Sequence, residues 1–160
     1  MIDDMKHLPG HLARRFQQIA VAVFHAEVSA VGSDLTPVQF AALVKVRAEP
    51  GVDQATLAGL IAYDRATIGG VIDRLVDKGF LKREASRRDR RAKELSLTPE
   101  GLAHLERVEP AVLSAQSLLL SGLGDEEQSE FMRLLQKATE GANELSRAPI
   151  RNVPEKTSGG

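Results

Sequence analysis

Apolar residues Leu12, Phe16, Ile19 and Val23 recur at helical spacing between Leu8 and about Ala30, with no Pro or Gly after Gly10, and predict a long first helix. Gly32, Ser33 and Asp34 mark its end. Thr36 followed by Pro37 supplies an N-cap and a first-turn proline for a second helix through about Ala48, which Pro50 and Gly51 stop. Asp53 can cap a short third helix carrying Leu57, Leu60 and Ile61. Asp64, three residues before Thr67, can cap a fourth that runs to Lys78, where Gly79 provides the left-handed residue that commonly closes a helix.

The period then changes. Two short runs, Phe80 to Ala85 and Lys93 to Leu97, read as a hairpin, and in the second Leu95 and Leu97 alternate with Glu94, Ser96 and Thr98 as in a strand with one wet face. The arginine-rich stretch between them has no two-residue turn signal, and mutual repulsion is expected to extend it as a protruding loop. Thr98 and Pro99 repeat the cap-plus-proline start and open a long fifth helix through Leu120, which Pro110 is expected to kink or divide. Gly122 and Gly124 break the chain before Asp125. That residue caps a last helix with Phe131, Leu134, Leu135, Ala138, Ala142 and Leu145 on one stripe, and beyond Ala148 the composition turns to that of a disordered tail.

Helices three and four, joined by a short turn and followed at once by a basic hairpin, have the order of a winged helix-turn-helix. The predicted fold is therefore mainly α with a small β-hairpin wing. The first and last helices are too long and too apolar on one side to be satisfied by that small unit, which points to packing on a second subunit. With 160 residues, 42% hydrophobic and 27% charged, the chain has the balance of one soluble domain, and one compact core is expected without staples. The absence of cysteine excludes thiol nucleophiles, thiolate zinc sites and cysteine-based oxidation sensing. No apolar run is long enough to span a bilayer, and the start, MIDDMKHLPG, lacks the plan of a signal peptide, so a cytoplasmic protein with no membrane partner is expected.

Overall charge is uninformative, with 21 basic residues against 22 acidic. Its distribution is not. Between Lys82 and Lys93 seven basic residues, including Arg87, Arg88, Arg90 and Arg91, stand against Glu84 and Asp89 alone, a local footprint for a polyanion. A helical wheel of the fourth helix gathers Ile68, Val71, Ile72, Leu75 and Val76 on a core-facing side. The opposite side presents Ala66, Thr67, Gly69, Gly70, Asp73 and Arg74, with Arg65 at its edge. Two adjacent glycines cost a helix interior about 1 kcal/mol each relative to Ala, so something should offset them. A smooth face lying deep in a major groove does so: the backbone nears the base edges, Ala66 and Thr67 can touch thymine methyls, and Arg65 can reach a guanine or a phosphate. The alternative is close helix–helix packing. In the basic loop an arginine can enter a narrow minor groove, and Asp89, two residues before Arg91, can hold that guanidinium extended.

The stretch from Leu35 to Gly101 resembles the DNA-binding core of the MarR family of transcriptional regulators. The resemblance lies in LTPVQF, in LAGLIAYDRATIGGVIDRLVDKGFLKR, in DRR at the wing and in LSLTPEG. It implies a single MarR-like domain over 1–147, with a winged core at 35–101, dimerisation helices at 8–32 and 102–147, and a disordered tail at 148–160. It further implies a homodimer on a pseudo-palindromic operator in double-stranded DNA, and a repressor that lets go when a small, often aromatic, ligand binds. Carried onto this chain, the DNA-binding positions are Arg65, Ala66, Thr67, Gly70, Arg74, Arg88, Asp89, Arg90 and Arg91, with Arg91 entering the minor groove. Many members carry larger polar residues where this helix has Gly69 and Gly70, so base readout here is expected to rest more on contact shape.

An effector edge is available on the first helix. His11, Arg15 and Gln18 lie at i, i+4 and i+7 beside Leu8, Leu12, Phe16 and Ile19, with Arg14 as a substitute for Arg15. An arginine there can pair with the carboxylate of an aromatic acid while His11 or Gln18 hydrogen-bonds a ring substituent. An ordinary solvated helix edge explains the same residues. His7 and His11 can also face one metal ion, but no third ligand is placed near them, and neither metal nor cofactor is expected. Other classes fare worse. There is no Walker loop, GxSxG elbow or HExxH motif for an enzyme. Five Phe, one Tyr and no Trp offer few rings for stacking single-stranded nucleic acid. A winged-helix protein-interaction module without DNA is the alternative, and activation in place of repression is compatible with the same residues.

Overall fold

In the computed structural model, which describes residues 4–152, the helices are α1 (Pro9–Ala30), α2 (Pro37–Ala48), α3 (Gln54–Leu60), α4 (Ile68–Asp77), α5 (Pro99–Leu119) and α6 (Asp125–Gly141). The strands are β1 (Val52–Asp53), β2 (Leu81–Ala85) and β3 (Lys93–Leu97), and single 3-10 turns occupy Met5–His7 and Asn143–Leu145. The expected winged helix-turn-helix is present. The sheet has one more strand than expected: β3 pairs antiparallel with β2, from Leu81 opposite Leu97 to Ala85 opposite Lys93, and on its other edge with β1, where Val52 faces Leu95.

Local chemistry accounts for most helix boundaries. Asp53 caps α3 through Oδ1, which accepts the Thr56 N–H at 2.8 Å, and through Oδ2, which accepts the Thr56 hydroxyl at 2.7 Å. Gly32 and Gly79 take positive φ directly after α1 and α4, and each helix closes with paired backbone bonds, such as Phe80 N–H to the Leu75 carbonyl at 2.9 Å and Gly79 N–H to that of Val76 at 2.9 Å. α3 ends by the same pattern with an alanine in the strained place. Ala62 has φ +51°, while Tyr63 N–H reaches the Ala58 carbonyl at 2.9 Å and Ala62 N–H that of Gly59 at 3.3 Å.

The chain falls into two compact units instead of the single core expected. One holds the described residues up to Pro37 with Glu106–Phe131; the other holds Val38–Leu105 with the described residues from Met132 onward. In the first, Phe24, Val28 and Leu35 are buried, as are Val108, Ala111, Val112 and Ala115 on α5, and Phe16 meets Phe131 edge-on at 5.3 Å. The core of the second is built from Leu43 and Val46 of α2, Leu57 of α3, Ile68, Val71, Ile72 and Leu75 of α4, and Leu81 and Leu95 of the sheet. The predicted apolar face of α4 is thus the buried one, with Val76 half-buried at its edge.

In three places the structure departs from expectation. Pro110 does not divide α5, which runs unbroken to Leu119; both Pro110 and Glu106, whose carbonyl loses its partner, are exposed, so water can take the freed acceptor. The last helix does not group as a whole with the flanking helices, since its residues from Met132 belong to the winged unit. The expected tail is not free at its start: Ile150 N–H donates to Asn143 Oδ1 at 2.8 Å, and Arg151 N–H to the Gly59 carbonyl at 2.8 Å. Residues 153–160 of that tail lie outside the described residues. Among the described residues no helix is long and apolar enough to cross a membrane.

Candidate nucleic-acid interface

The turn that enters α4 is organised by Asp64. Its carboxylate accepts the Ala66 N–H at 2.8 Å, and its carbonyl accepts the N–H of Thr67 at 3.1 Å, that of Ile68 at 3.0 Å and the Thr67 hydroxyl at 3.2 Å. The expectation that Asp64 caps the fourth helix is thus corrected: α4 begins only at Ile68, with Thr67 at its N-cap and no side-chain cap, and Asp64 instead closes the tight turn of Arg65, Ala66 and Thr67 in front of it, all three exposed. Gly70 and Arg74 follow on the same exposed side.

The two glycines have different surroundings. A Cβ on Gly69 would meet Gln54 Nε2 at 3.3 Å, so that position packs against the start of α3, the alternative considered from sequence. A Cβ on Gly70 would meet nothing within 4 Å. Asp73 is exposed as expected, but its Oδ1 accepts from Arg83 Nη1 of β2 at 2.8 Å, an ion pair that ties the helix to the wing and was not anticipated from sequence.

The wing loop is pinned, not extended by repulsion. Ser86 is buried and its hydroxyl accepts the N–H of Arg88 at 3.2 Å and of Asp89 at 3.4 Å; its own N–H donates to the Ala92 carbonyl at 3.0 Å. The carboxylate of Asp89 takes the backbone N–H of Arg91 at 3.0 Å. The expectation that Asp89 holds the Arg91 guanidinium is thus corrected. A short acidic side chain two residues upstream reaches a backbone amide before a guanidinium, and the geometry is that of an Asx turn. Arg88, Asp89, Arg90 and Arg91 are exposed.

Turn and wing meet at a cleft of about 400 Å³ lined by Asp53, Gln54, Ala55, Arg65, Ile68, Asp89, Arg91, Ala92 and Lys93. It brings Arg65 and Arg91 to one place and adds Lys93, counted in the basic footprint but not among the DNA-binding positions, and Gln54, which sequence reasoning did not single out. Lys93 could have been found from its strand position beside the loop; nothing in the pattern marks Gln54. Partial burial works to raise the Asp53 carboxyl, but hydrogen bonds from Thr56 and the Ala55 N–H outweigh it and hold it below its ordinary value. Charge is partly neutralised at the base of the wing, where Lys82 pairs with Glu84 and lowers its carboxyl, and Arg83 pairs with Asp73. Among the described residues Arg65, Arg88, Arg90, Arg91 and Lys93 form no ion pair, so their charge is available to an outside anion, whereas Arg87 also acts on Glu84.

On α1, Arg14 donates to Gln18 Oε1 at 3.2 Å and lies 3.5 Å from His11 Nδ1. The polar run therefore joins His11, Arg14 and Gln18, with Arg14 in the place first given to Arg15. Arg15 is exposed on the same helix. His7 lies 3.8 Å from Asp4, and among the described residues no three metal-ligating side chains come together.

Comparison with known proteins bears on the fold and the family. The family model described as MarR family matches residues 35–93. The transcriptional repressor NicR of Pseudomonas putida is 31% identical over 134 residues, 84% of each chain. The regulator PcaV of Streptomyces coelicolor, solved in complex with its natural ligand, superposes with a TM-score of 0.80 at 34% identity, over 87% of this chain and 96% of that one. BpsR of Bordetella bronchiseptica, whose DNA binding is regulated by 6-hydroxynicotinic acid, gives 0.79 at 31% identity, over 86% and 96%.

Proposed function

The chain belongs to the MarR family, whose members are DNA-binding transcriptional regulators and not enzymes, and from that premise we propose that it acts as a homodimeric cytoplasmic repressor released from a pseudo-palindromic operator by a small aromatic carboxylate. The observation that carries the DNA contact is the convergence of the α4 entry turn and the wing on one cleft bordered by Arg65, Arg91 and Lys93, none of them in an ion pair among the described residues. A major groove receives Arg65, Ala66, Thr67 and Gly70; the strand of phosphates between the grooves runs past the cleft; and the wing tip, with Arg88, Asp89, Arg90 and Arg91, reaches the adjacent minor groove. Arg74, exposed one turn further along α4, faces backbone phosphate.

Two observations support the finer parts. Exposed apolar side chains recur on the flanking helices, at Leu12 and Ile19 of α1, Leu113 and Leu118 of α5, and Met132, Leu134 and Leu135 of α6, and α6 buries no side chain, as suits helices completed by a second copy. These flanks, about 8–32 and 102–147 in the sequence, form the dimerisation region of the proposal, beside the winged core at 35–101. The run His11, Arg14 and Gln18, with Arg15 alongside, offers a guanidinium for a carboxylate and two groups for a ring substituent; among the relatives NicR is named a repressor, and the DNA binding of BpsR is regulated by a pyridine carboxylate. Coupling follows from linkage. An effector that prefers a dimer whose recognition helices no longer sit about 34 Å apart weakens DNA binding by the factor by which DNA weakens effector binding.

Fluorescence anisotropy on duplex DNA from the protein's own upstream intergenic region, against unrelated duplex and across a salt series, tests the reading. Preferential binding that weakens steeply with salt, and release from the upstream duplex alone by benzoates or hydroxylated pyridine carboxylates, is the expected result. Failure to retain any fragment in a genomic selection overturns it in favour of a winged-helix module that binds protein.

A further inference from the structure

Beyond α6 the chain folds back along the winged unit as a short strap. The Asn143 amide closes a loop on Ile150, accepting its N–H at 2.8 Å and donating to its carbonyl at 3.2 Å. Both guanidinium nitrogens of Arg151 engage the Glu144 carboxylate. The Arg151 N–H then donates to the Gly59 carbonyl on α3 at 2.8 Å. Gly59 makes room for this approach, since a Cβ there would lie 3.0 Å from Arg151 Cβ. Midway, the strap passes beside the turn that enters the recognition helix, where Arg147 Nη2 lies 3.5 Å from Asp64 Oδ2. Together they border a cleft of about 280 Å³ whose lining includes Tyr63, Asp64, Arg65, Arg147 and Arg151.

We propose that the strap extends the DNA-binding surface, with Arg147 taking a backbone phosphate at the edge of the major groove that receives Arg65. The proposal rests on the DNA reading above. Arg65 and Arg147 border the same cleft, and Arg65 sits in the turn that the major groove receives. Of the strap's two arginines, Arg147 is the less constrained. Its side chain is 92% exposed and its link to Asp64 is long, whereas Arg151 is held from two sides by Glu144. Asp64 does not need Arg147, because its other oxygen is already occupied by the Ala66 N–H. An exposed pair of this kind is weak and salt-screened, so exchange of the carboxylate for a phosphate costs little. A phosphate contact carries no base information, so its signature is electrostatic and independent of sequence.

The test compares anisotropy titrations of the full chain carrying Asp64→Asn with those of the same chain carrying Asp64→Asn and Arg147→Ala, on upstream and unrelated duplex between 50 and 200 mM salt. The shared background keeps a released Asp64 carboxylate from mimicking the effect. Loss of one phosphate contact lowers the slope of log K against log salt by about 0.9, so the variant retaining Arg147 loses about 3.5-fold more affinity over that range than the one lacking it. Equal loss on both duplexes, with Arg147→Lys restoring the slope, supports the proposal. An unchanged slope in a protein that otherwise binds DNA with steep salt dependence overturns it and leaves the DNA reading standing. If the wild-type chain binds no duplex, the DNA reading fails and this inference falls with it.

Discussion

Gly70→Ala separates what the fold asks of α4 from what DNA asks of it. Gly70 is the third residue of the helix, exposed, with ordinary negative φ, and an added methyl meets nothing within 4 Å. Alanine exceeds glycine in helix propensity by about 1 kcal/mol in a helix interior, an upper limit for this first-turn position, and with no clash to offset it that gain should reach global stability. For a chain of this size it corresponds to a rise of roughly 2–4 °C in Tm. In the proposed complex the same methyl stands where the backbone nears the base edges. Displacing the helix by one methyl forfeits contact comparable to one mismatched base pair, about 1–3 kcal/mol, which weakens operator binding roughly 5- to 150-fold and unrelated duplex far less. Thermal melts by circular dichroism and anisotropy on both duplexes read the two effects from one preparation. A higher Tm with operator affinity unchanged would falsify the placement of Gly70 in the groove. A lower Tm would show that the position is not open. Gly69→Ala is the internal contrast, because its methyl presses on the flexible end of Gln54 and its stability gain should be smaller.

Gly101→Ala is expected to lower Tm by roughly 4–8 °C, corresponding to about 2 kcal/mol, because its Cβ would fall on the Phe80 carbonyl and force α5 off the wing, whereas Gly10→Ala, in open space on α1, should not lower it. Ala62→Gly relieves the left-handed alanine that ends α3 and should raise stability by about 0.5–1 kcal/mol in urea titration; a loss would mean that the alanine methyl makes contacts worth more than its strain. Asp53→Ala removes the α3 cap and should cost about 1 kcal/mol at neutral pH. Because the Asp53 carboxyl is held below its ordinary value of 3.8, its contribution is present above that pH and lost as the pH falls through the lower folded value, so Asp53→Ala should also flatten stability against pH below about 4.

What could be read from the chain was what its neighbours in sequence decide. The α4 stripe, the Gly79 stop and the Asp53 cap are settled within a few residues by period, by φ and by a side chain that reaches an adjacent N–H, and each appears where the pattern places it. What was hidden is settled by partners far along the chain. Nothing around Val52 announces a strand, because two residues make one only when Leu95 lies opposite. Ala62 gives no sign of positive φ, since the glycine signal is absent there and only the capping bonds impose it. The docking of Arg151 on Gly59 joins positions whose composition reads as tail and as helix. For the interface, charge and order located the turn and the wing, but composition cannot tell a carboxylate that holds a guanidinium from one that holds a backbone amide, as Asp89 illustrates.

The non-local contacts also bear on how an effector can act. Within the winged unit, α4 is tied to β2 by Asp73 and Arg83, and the start of α5 is tied to the end of α4 by the Thr98 hydroxyl on the Gly79 carbonyl, by Thr98 N–H on the Phe80 carbonyl at 3.1 Å, and by Phe80 stacked on His104 at 4.3 Å. Gly101, with no room for a Cβ, locks that junction. Recognition turn, wing and the first turns of α5 therefore move as one body, and distorting the reading face alone would break several of these contacts together. A ligand whose differential affinity supplies the few kcal/mol typical of allosteric coupling cannot readily do that. In the proposed dimer it can shift the whole body against its counterpart, where a change of spacing costs few internal contacts yet puts two rigid faces out of step with successive major grooves. On this argument Asp73→Asn, which loosens the wing from α4, should weaken DNA binding in the absence of effector while leaving effector affinity of the free protein unchanged, and an equal loss of both would place the effector's influence inside the winged unit.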